Sequence, residues 1–443
     1  MNHQLGSRIS ESDGTGQKER SLKFYEFFAG AGMARLGLSP QWTCAWANDN
    51  DPQKNLIYAH NWGNDHLDGR DVARVAVEIG EGLPQEEGTP VFPRSVHMAW
   101  ASFPCQDLSL AGWRRGMGAG RSGAYWPFWQ LMYSLEKRPP IMVIENVAGL
   151  LYGDNFLGLC ESLAALGLKF GALLIDARHF LPQSRPRVFV IAVNASLDVS
   201  SFVDRNHVPG PWYNKAVLAA YDRLPAQLKE HWLWWRLKTP EQKIRPVVDL
   251  VEQEPEDVSY HSAEETRKLL AMMTPRNLDR VRMAGEAGCL QVGFLYKRMR
   301  NRVQRAEVRF DGYSGCLRTP KGGSSRQTIL LVEGEKIRSR LLSRLEAARL
   351  MGIDLDEDGR LPGASHGFFP ESCSYNQAYM AMGDGVAVPV VKHLGDEIIT
   401  PLALRWNELE GNRSPEKAAV QSPYLERVGE RIQSWEVGVS GDS

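Results

Sequence analysis

Four short stretches of this 443-residue chain combine residue types that can do chemistry. The first is Phe28-Ala29-Gly30-Ala31-Gly32. Glycines in a turn after a strand let backbone amides approach a ligand at a helix N-terminus. Asp49, 19 residues beyond Gly30, stands where a carboxylate can bond ribose hydroxyls. A plain tight turn accounts for the same glycines. Arg35 also occupies the third glycine position of the dinucleotide fingerprint, which counts against a nicotinamide enzyme. The second stretch is Phe103-Pro104-Cys105-Gln106. An isolated cysteine is commonly a small buried hydrophobe; at the carboxyl end of a strand it is also placed as a nucleophile. The third, Glu145-Asn146-Val147, sets a carboxylate behind four apolar residues. Burial there favours a raised pKa and acid duty, with a structural ion pair as the alternative. The fourth is Gln183-Ser184-Arg185-Pro186-Arg187, whose alternating arginines suit an anion clamp or the protection of a sheet edge.

The elements around these stretches alternate. Apolar runs at 22–28, 43–47, 96–103, 141–145 and 187–193 read as buried strands, and 156–167 has helical spacing. Each chemical stretch begins or ends one of these strands. The pattern predicts an α/β fold, Rossmann-like, with a mainly parallel sheet and helices on both faces. With 43% hydrophobic and 24% charged residues the composition is that of a globular protein. Six scattered cysteines without a CxxC pair argue against a zinc knuckle and for a reducing compartment. The first 21 residues lack an apolar segment, and no apolar run approaches the length of a membrane span. The expectation is a cytoplasmic protein, nucleoid-associated if it binds DNA, with no membrane contact.

Taken together and in this order, FxGxG, the acidic turn NDND, PCQ, ENV and QxRxR resemble the DNA cytosine-5 methyltransferases of prokaryotic and phage type. The later blocks RLLSRLEAARLMG (340–352) and YNQAYMAMGDGVAVPVV (375–391) extend the resemblance, which covers roughly 22–194 and 335–395. It implies S-adenosylmethionine as cofactor and Cys105 as the nucleophile that adds to C6 of cytosine. Glu145 is implied as the acid at N3, and Arg187 with Arg185 as the cations at the C2 carbonyl. Phe28, Ala29, Gly30, Gly32 and Met33 would hold the methionine part of the cofactor. Asp49 would hold its ribose and Asp71, or alternatively Asp68, its adenine, with Asn50, Pro104, Asp384 and Gly385 nearby. The chain departs from the family pattern at Asn50, Ser102, Pro186, the GDG triplet and RLE (344–346).

The resemblance also implies base flipping out of double-stranded DNA. Residues 112–123, GWRRGMGAGRSG, then suit a closing loop. Gln106, Ser109, Trp113, Arg114, Arg115, Arg121 and Gln183 are the expected DNA contacts near the catalytic stretches. The expected organisation is a tail (1–21), a catalytic domain (22–195 with 335–400), a target-recognition region (196–334) and an acidic helical extension (401–443). The net charge of −1 hides a net +10 over residues 276–344 and −8 over 345–443. The basic stripe holds Lys297, Arg298, Arg300, Arg302, Arg305, Lys321 and Arg326, expected to face DNA. The acidic run 252–265 is expected to be solvated surface. A monomer is expected, with a cognate restriction endonuclease as a separate partner. The rival readings are a tRNA cytosine-5 methyltransferase, disfavoured by the long basic insertion, and a catalytically silent DNA-binding relative.

Overall fold

Strand and helix alternate from Leu22 onward and close on one central sheet. The computed structural model describes residues 21–104, 124–206, 209–319 and 326–411. Seven strands form the sheet: β1 (Leu22–Phe27), β2 (Trp42–Asn48), β3 (Leu67–Asp68), β4 (Met98–Ala101), β5 (Ile141–Val147), β6 (Leu168–Asp176) and β7 (Pro186–Asn194). Their order is β3-β2-β1-β4-β5-β7-β6. The pairs β1–β2, β1–β4, β2–β3 and β4–β5 are parallel, whereas β7 runs antiparallel to both β5 and β6. Strands β4 and β5 and the middle of β7 are buried on both faces, which is why they read as unbroken apolar runs. The order reverses direction at β1 and β4, and there the carboxyl ends of the strands open a crevice.

Within this sheet, strand β6 is the one long strand that the apolar pattern did not predict, because Lys169 and Gly171 interrupt it. Its outer edge is covered rather than solvated. The Phe170 amide donates to the His231 carbonyl at 2.8 Å, and the Leu233 amide donates back to Phe170 at 2.7 Å. A Cβ at Gly171 would sit 1.9 Å from the Leu233 carbonyl oxygen, so only glycine permits this approach. Trp212, Tyr213, Trp232, Trp234 and Trp235 pack into the same core as the seven-stranded sheet.

This moves both boundaries of the expected recognition region. Residues from 196 to about 250 pack on the catalytic body. The separate unit starts near helix Ala263–Ala271, continues through helix Pro275–Glu286 and ends with an antiparallel sheet ordered β11-β10-β12-β13. These strands are β10 (Gln291–Arg300), β11 (Val303–Arg309), β12 (Thr328–Glu333) and β13 (Lys336–Leu341). A cut between 334 and 335 would split the β12–β13 hairpin, whose registers run Thr328 with Leu341 to Glu333 with Lys336. The unit has its own small core of Leu269, Met273, Val281, Leu295, Val308 and Leu330.

The acidic run is solvated at Glu254, Glu256, Glu264 and Glu265, but Glu252 and Asp257 are engaged by the body. Arg340 and Glu346 form a fully buried ion pair at 2.6 Å. The Glu252 amide donates to Glu346 and the Glu252 carbonyl accepts from Arg340. Asp257 accepts from the Arg344 amide at the start of helix Arg344–Leu350. The segment straps the second unit to the body through charge-assisted bonds that satisfy a buried arginine. Helix Thr400–Gly411 buries Leu402 and Ala403 against the core, so the start of the expected C-terminal extension is part of the body. No helix among the described residues is long and apolar enough to cross a membrane.

Behind the glycine turn lies a buried acid. Glu26 on β1 accepts from the Arg35 amide at 3.1 Å. Burial lifts its carboxyl to about 7, although Arg35 pulls the other way. Its usual value is 4.5, so the neutral form is favoured in the fold. The corresponding stability is fully present below about pH 4.5 and is lost as pH rises through about 7. For a shift of this size the loss is on the order of 3 kcal/mol. Glu26→Gln should therefore melt more nearly alike at pH 5 and pH 8 than the wild type does. Parallel changes of melting temperature with pH in both proteins would show that Glu26 is not the group responsible.

Candidate active site

The crevice at the carboxyl ends of β1 and β2 is shaped by the glycine turn. Phe28 and Gly30 have positive φ, 57° and 59°. The Gly30 amide donates to the Asp49 carboxylate at 2.9 Å, and the Asp51 amide donates to the other Asp49 oxygen at 2.9 Å. A Cβ at Gly30 would meet nothing within 4 Å, so the turn faces open space. At Gly32 a Cβ would lie 2.3 Å from the Trp62 indole nitrogen, so that glycine serves packing rather than access. Ala29 and Met33 are buried; Asn50 and Asp71 are exposed at the crevice mouth. One Asp71 oxygen caps helix Val72–Gly80 through the Ala73 amide. The alternative adenine contact, Asp68, is buried and held by the Arg70 guanidinium at 2.7 Å. Arg35, which replaces the third glycine, turns away to stack on Trp62 and to donate to Tyr58.

Lys54 closes one side of the crevice. Its ammonium pairs with Asp384 at 2.9 Å. Burial pulls the Lys54 pKa down, but Asp384 and Asp49 together lift it above the usual lysine value. Burial raises Asp49, while Lys54 and the amides of Asp51 and Gly30 restrain it. Asp384 thus enters the site as a partner of Lys54. Gly385 lies against Met33, whose terminal methyl would be 1.4 Å from an added Cβ.

The second half of the site lies where β5 and β7 run antiparallel. Val147 pairs with Arg187, which puts Glu145 and Arg187 on one face as diagonal neighbours. Their side chains meet, Arg187 Nε to Glu145 Oε1, at 3.1 Å. Burial raises the Glu145 pKa, opposed by Arg187, Arg185 and the Ser102 hydroxyl. Asn146 points to the other face and donates to the Phe103 carbonyl at 3.0 Å. It therefore fixes the end of β4, from which exposed Pro104 leads toward Cys105. Asn146 is a functional-site residue beyond the expected set, and its place beside Glu145 is the signal for it. Cys105, Gln106, Ser109, Trp113, Arg114, Arg115, Arg121 and Lys321 lie outside the described residues.

Two expectations from the QxRxR stretch change. Gln183 is fully buried and cannot touch DNA. Its amide nitrogen donates to the Leu350 carbonyl at 2.7 Å, and its oxygen accepts from the Leu317 amide at 3.3 Å. Arg185 is held by backbone carbonyls rather than by the Glu145 side chain. It is 1% exposed, and its guanidinium donates to the carbonyls of Leu317, Gly383 and Gly385 at 3.0, 2.7 and 2.6 Å. Burial and the neighbouring Arg187 lower its pKa to about 10. Arg187 is left as the cation beside Glu145. Of the basic stripe, Lys297, Arg298, Arg300, Arg302 and Arg305 lie along the β10–β11 hairpin, with Arg302 in its tight turn at φ 63°. Glu307 partly neutralises Arg300 and Arg298, at 2.8 and 3.5 Å. Arg326 is elsewhere, stacked on Tyr375.

A mainly parallel sheet with one antiparallel strand, a glycine turn facing a carboxylate, and an acid–cation pair at the neighbouring strand ends define a methyltransferase of the Rossmann-like class. The chain belongs to the C-5 cytosine-specific DNA methylase family, whose model matches residues 22–400. It is 24% identical over 378 residues to the type II methyltransferase M.BsuFI of Bacillus subtilis, covering 84% of this chain and 71% of that protein. Over a shorter stretch of 178 residues it is 39% identical to M2.BsuMI of Bacillus subtilis strain 168, covering 39% of this chain and 42% of that one. Among solved structures the fold matches the Entamoeba histolytica methyltransferase EhMeth with a TM-score of 0.56 at 13% identity, covering 86% and 99% of the two chains. It matches the S. pombe Dnmt2 methyltransferase at 0.51 and 17% identity, covering 88% and 99%.

The different surroundings of the two arginines predict different losses. Arg185→Met removes the cationic donor from three inward-facing carbonyls, of which only that of Leu317 keeps another, the Cys316 thiol, among the described residues, and should cost at least about 3 kcal/mol. Arg187→Met should leave the urea midpoint near the wild-type value, because Glu145 can take a proton in place of its partner. Equal losses in denaturant unfolding would contradict this division.

Proposed function

We propose that the protein methylates C5 of a cytosine flipped out of a specific double-stranded DNA sequence, with S-adenosylmethionine as donor. The observation that carries this reading is the Glu145–Arg187 pair at 3.1 Å, beside the strand end that leads into Cys105. The crevice suits the cofactor: the turn at Gly30 is open, and two carboxylates of the expected kind, Asp49 and Asp71, border it. Phe28 and the amides of the turn would hold its amino-acid part, Asp49 its ribose and Asp71 its adenine. When bound, the cofactor supplies a methyl group activated on a sulfonium.

The protein's own residues then do the following. Cys105 adds to C6 of the ring as a thiolate, which makes C5 nucleophilic. Glu145, kept protonated to higher pH than usual by burial, gives a hydrogen bond or proton to N3 as charge develops there. Arg187 bonds the C2 carbonyl oxygen and, through Nε, keeps the Glu145 carboxyl in register with the ring. Loss of the C5 proton and elimination of Cys105 restore aromaticity. The cationic β10–β11 hairpin supports a role in reading or holding duplex DNA, with Lys297, Arg302 and Arg305 free of ion pairs among the described residues.

Duplex DNA containing 5-fluorocytosine at the target position tests the chemistry, because fluorine at C5 cannot leave as a proton. The wild type should form an adduct stable to denaturing electrophoresis. Cys105→Ala should form none and should lose methyl transfer by at least about 10³-fold, while retaining DNA binding. Turnover in Cys105→Ala would remove the nucleophile assignment. Modification of tRNA but not duplex DNA would favour the RNA-directed reading.

A further inference from the structure

One polar side chain in the site has no part in the chemistry above. Cys316 is half-buried and free. Its sulfur lies 3.2 Å from Arg185 Nη1 and 3.9 Å from both terminal nitrogens of Arg187. It therefore sits between two like charges, on the side of Arg187 away from Glu145. Among the described residues, the other bonds of Arg187 are Nε to Glu145 and Nη1 to the Pro186 carbonyl. Nη2 has only the sulfur.

Cys316 does not belong to the catalytic sheet. It is carried on the segment that returns from the four-stranded unit after β11, and that segment is docked on the QxRxR stretch by backbone. The Ser314 amide donates to the Pro182 carbonyl at 2.8 Å, and the Ser184 amide donates to Ser314 at 3.0 Å. The Leu317 amide is held by Gln183, and the Leu317 carbonyl by Arg185. The sulfur is thus fixed on both sides along the chain and is presented to Arg187 by the unit that bears the cationic hairpin.

We infer that Cys316 is a positioning residue for the reaction: it sets the rotation of the Arg187 guanidinium, so that the return segment of the DNA-facing unit completes the catalytic pair. This rests on the proposed role of Arg187 at the substrate carbonyl. A neutral sulfur suits the place. Its long bond and diffuse lone pairs reach two guanidiniums at once, whereas a carboxylate there would draw Arg187 away from Glu145. A serine has a shorter reach and would keep contact with the nearer Arg185 while loosening Arg187.

A double-mutant cycle tests this, read as the single-turnover rate of methyl transfer to duplex DNA and of adduct formation with 5-fluorocytosine. Cys316→Ala should slow both rates about tenfold, with the Kd values for DNA and S-adenosylmethionine within about twofold of wild type. Cys316→Ser, which retains a polar atom and guards against a folding defect, should fall between. In an Arg187→Ala background, Cys316→Ala should cause no further loss, because the residue it acts through is gone. Independent, multiplicative losses would overturn the inference while leaving the role of Arg187 intact. Unchanged rates in Arg187→Ala alone would overturn the proposed role of Arg187, and the inference with it. A loss in Cys316→Ala confined to DNA affinity would assign the sulfur to binding and also overturn it.

Discussion

Everything in this site hangs on a buried cation that, among the described residues, pairs with no carboxylate. Arg185 is sealed from water, and an unpaired guanidinium there is costly. The fold meets that cost with carbonyl dipoles from two distant segments, Leu317 on the return from the second unit and Gly383 and Gly385 at the C-terminal end of helix Tyr375–Asp384. The requirement works in both directions. The carbonyls of Gly383 and Gly385 must turn inward to reach the guanidinium. Asp384 between them pairs outward with Lys54, and Gly385 is pressed on Met33 beside the glycine turn. One buried arginine thereby ties the crevice at the glycine turn to the Glu145–Arg187 end of the sheet.

That arrangement also explains how two arginines spaced by one residue come to do different work. Both approach one face of the sheet, but Arg185 is consumed by backbone, whereas Arg187 keeps a partner that can change charge. Burial holds Glu145 toward its neutral form, and Arg187 and Arg185 hold it back from full protonation. Asn146, one residue on, faces the opposite side and fixes the end of β4. Strand alternation puts Glu145 beside Arg187 and Asn146 on the opposite face.

Much of this was legible in the chain before any coordinates. Apolar runs mark strands buried on both faces, so β1, β2, β4, β5 and β7 were found, and with them the chemical residues at their ends. Strand β6 escapes the pattern because Lys169 and Gly171 interrupt it, and Gly171 is there to admit the tryptophan-rich segment 231–235, a long-range arrangement that local periodicity does not encode. The same limit hid the unit boundary: β12 and β13 look like a return to the catalytic domain, but they pair with each other, and β12 pairs with β10. Charge was the least readable property. Glu252 and Asp257 looked like solvated acids and proved to be ligands of the strap at Arg340 and Arg344. Gln183 and Arg185 looked like contacts for a ligand and proved to be ties between segments. A polar residue shows its type in sequence, whereas its partners are set by the topology.

The most direct measurement is a crystal structure of the protein trapped on duplex DNA carrying 5-fluorocytosine. The account predicts Arg187 within hydrogen-bonding distance of the C2 oxygen of the trapped base, Glu145 at N3, and Arg185 still bonded to the carbonyls of Leu317, Gly383 and Gly385. A complex in which Arg185 releases those carbonyls and turns to the base, or in which Arg187 remains remote from it, would contradict the account.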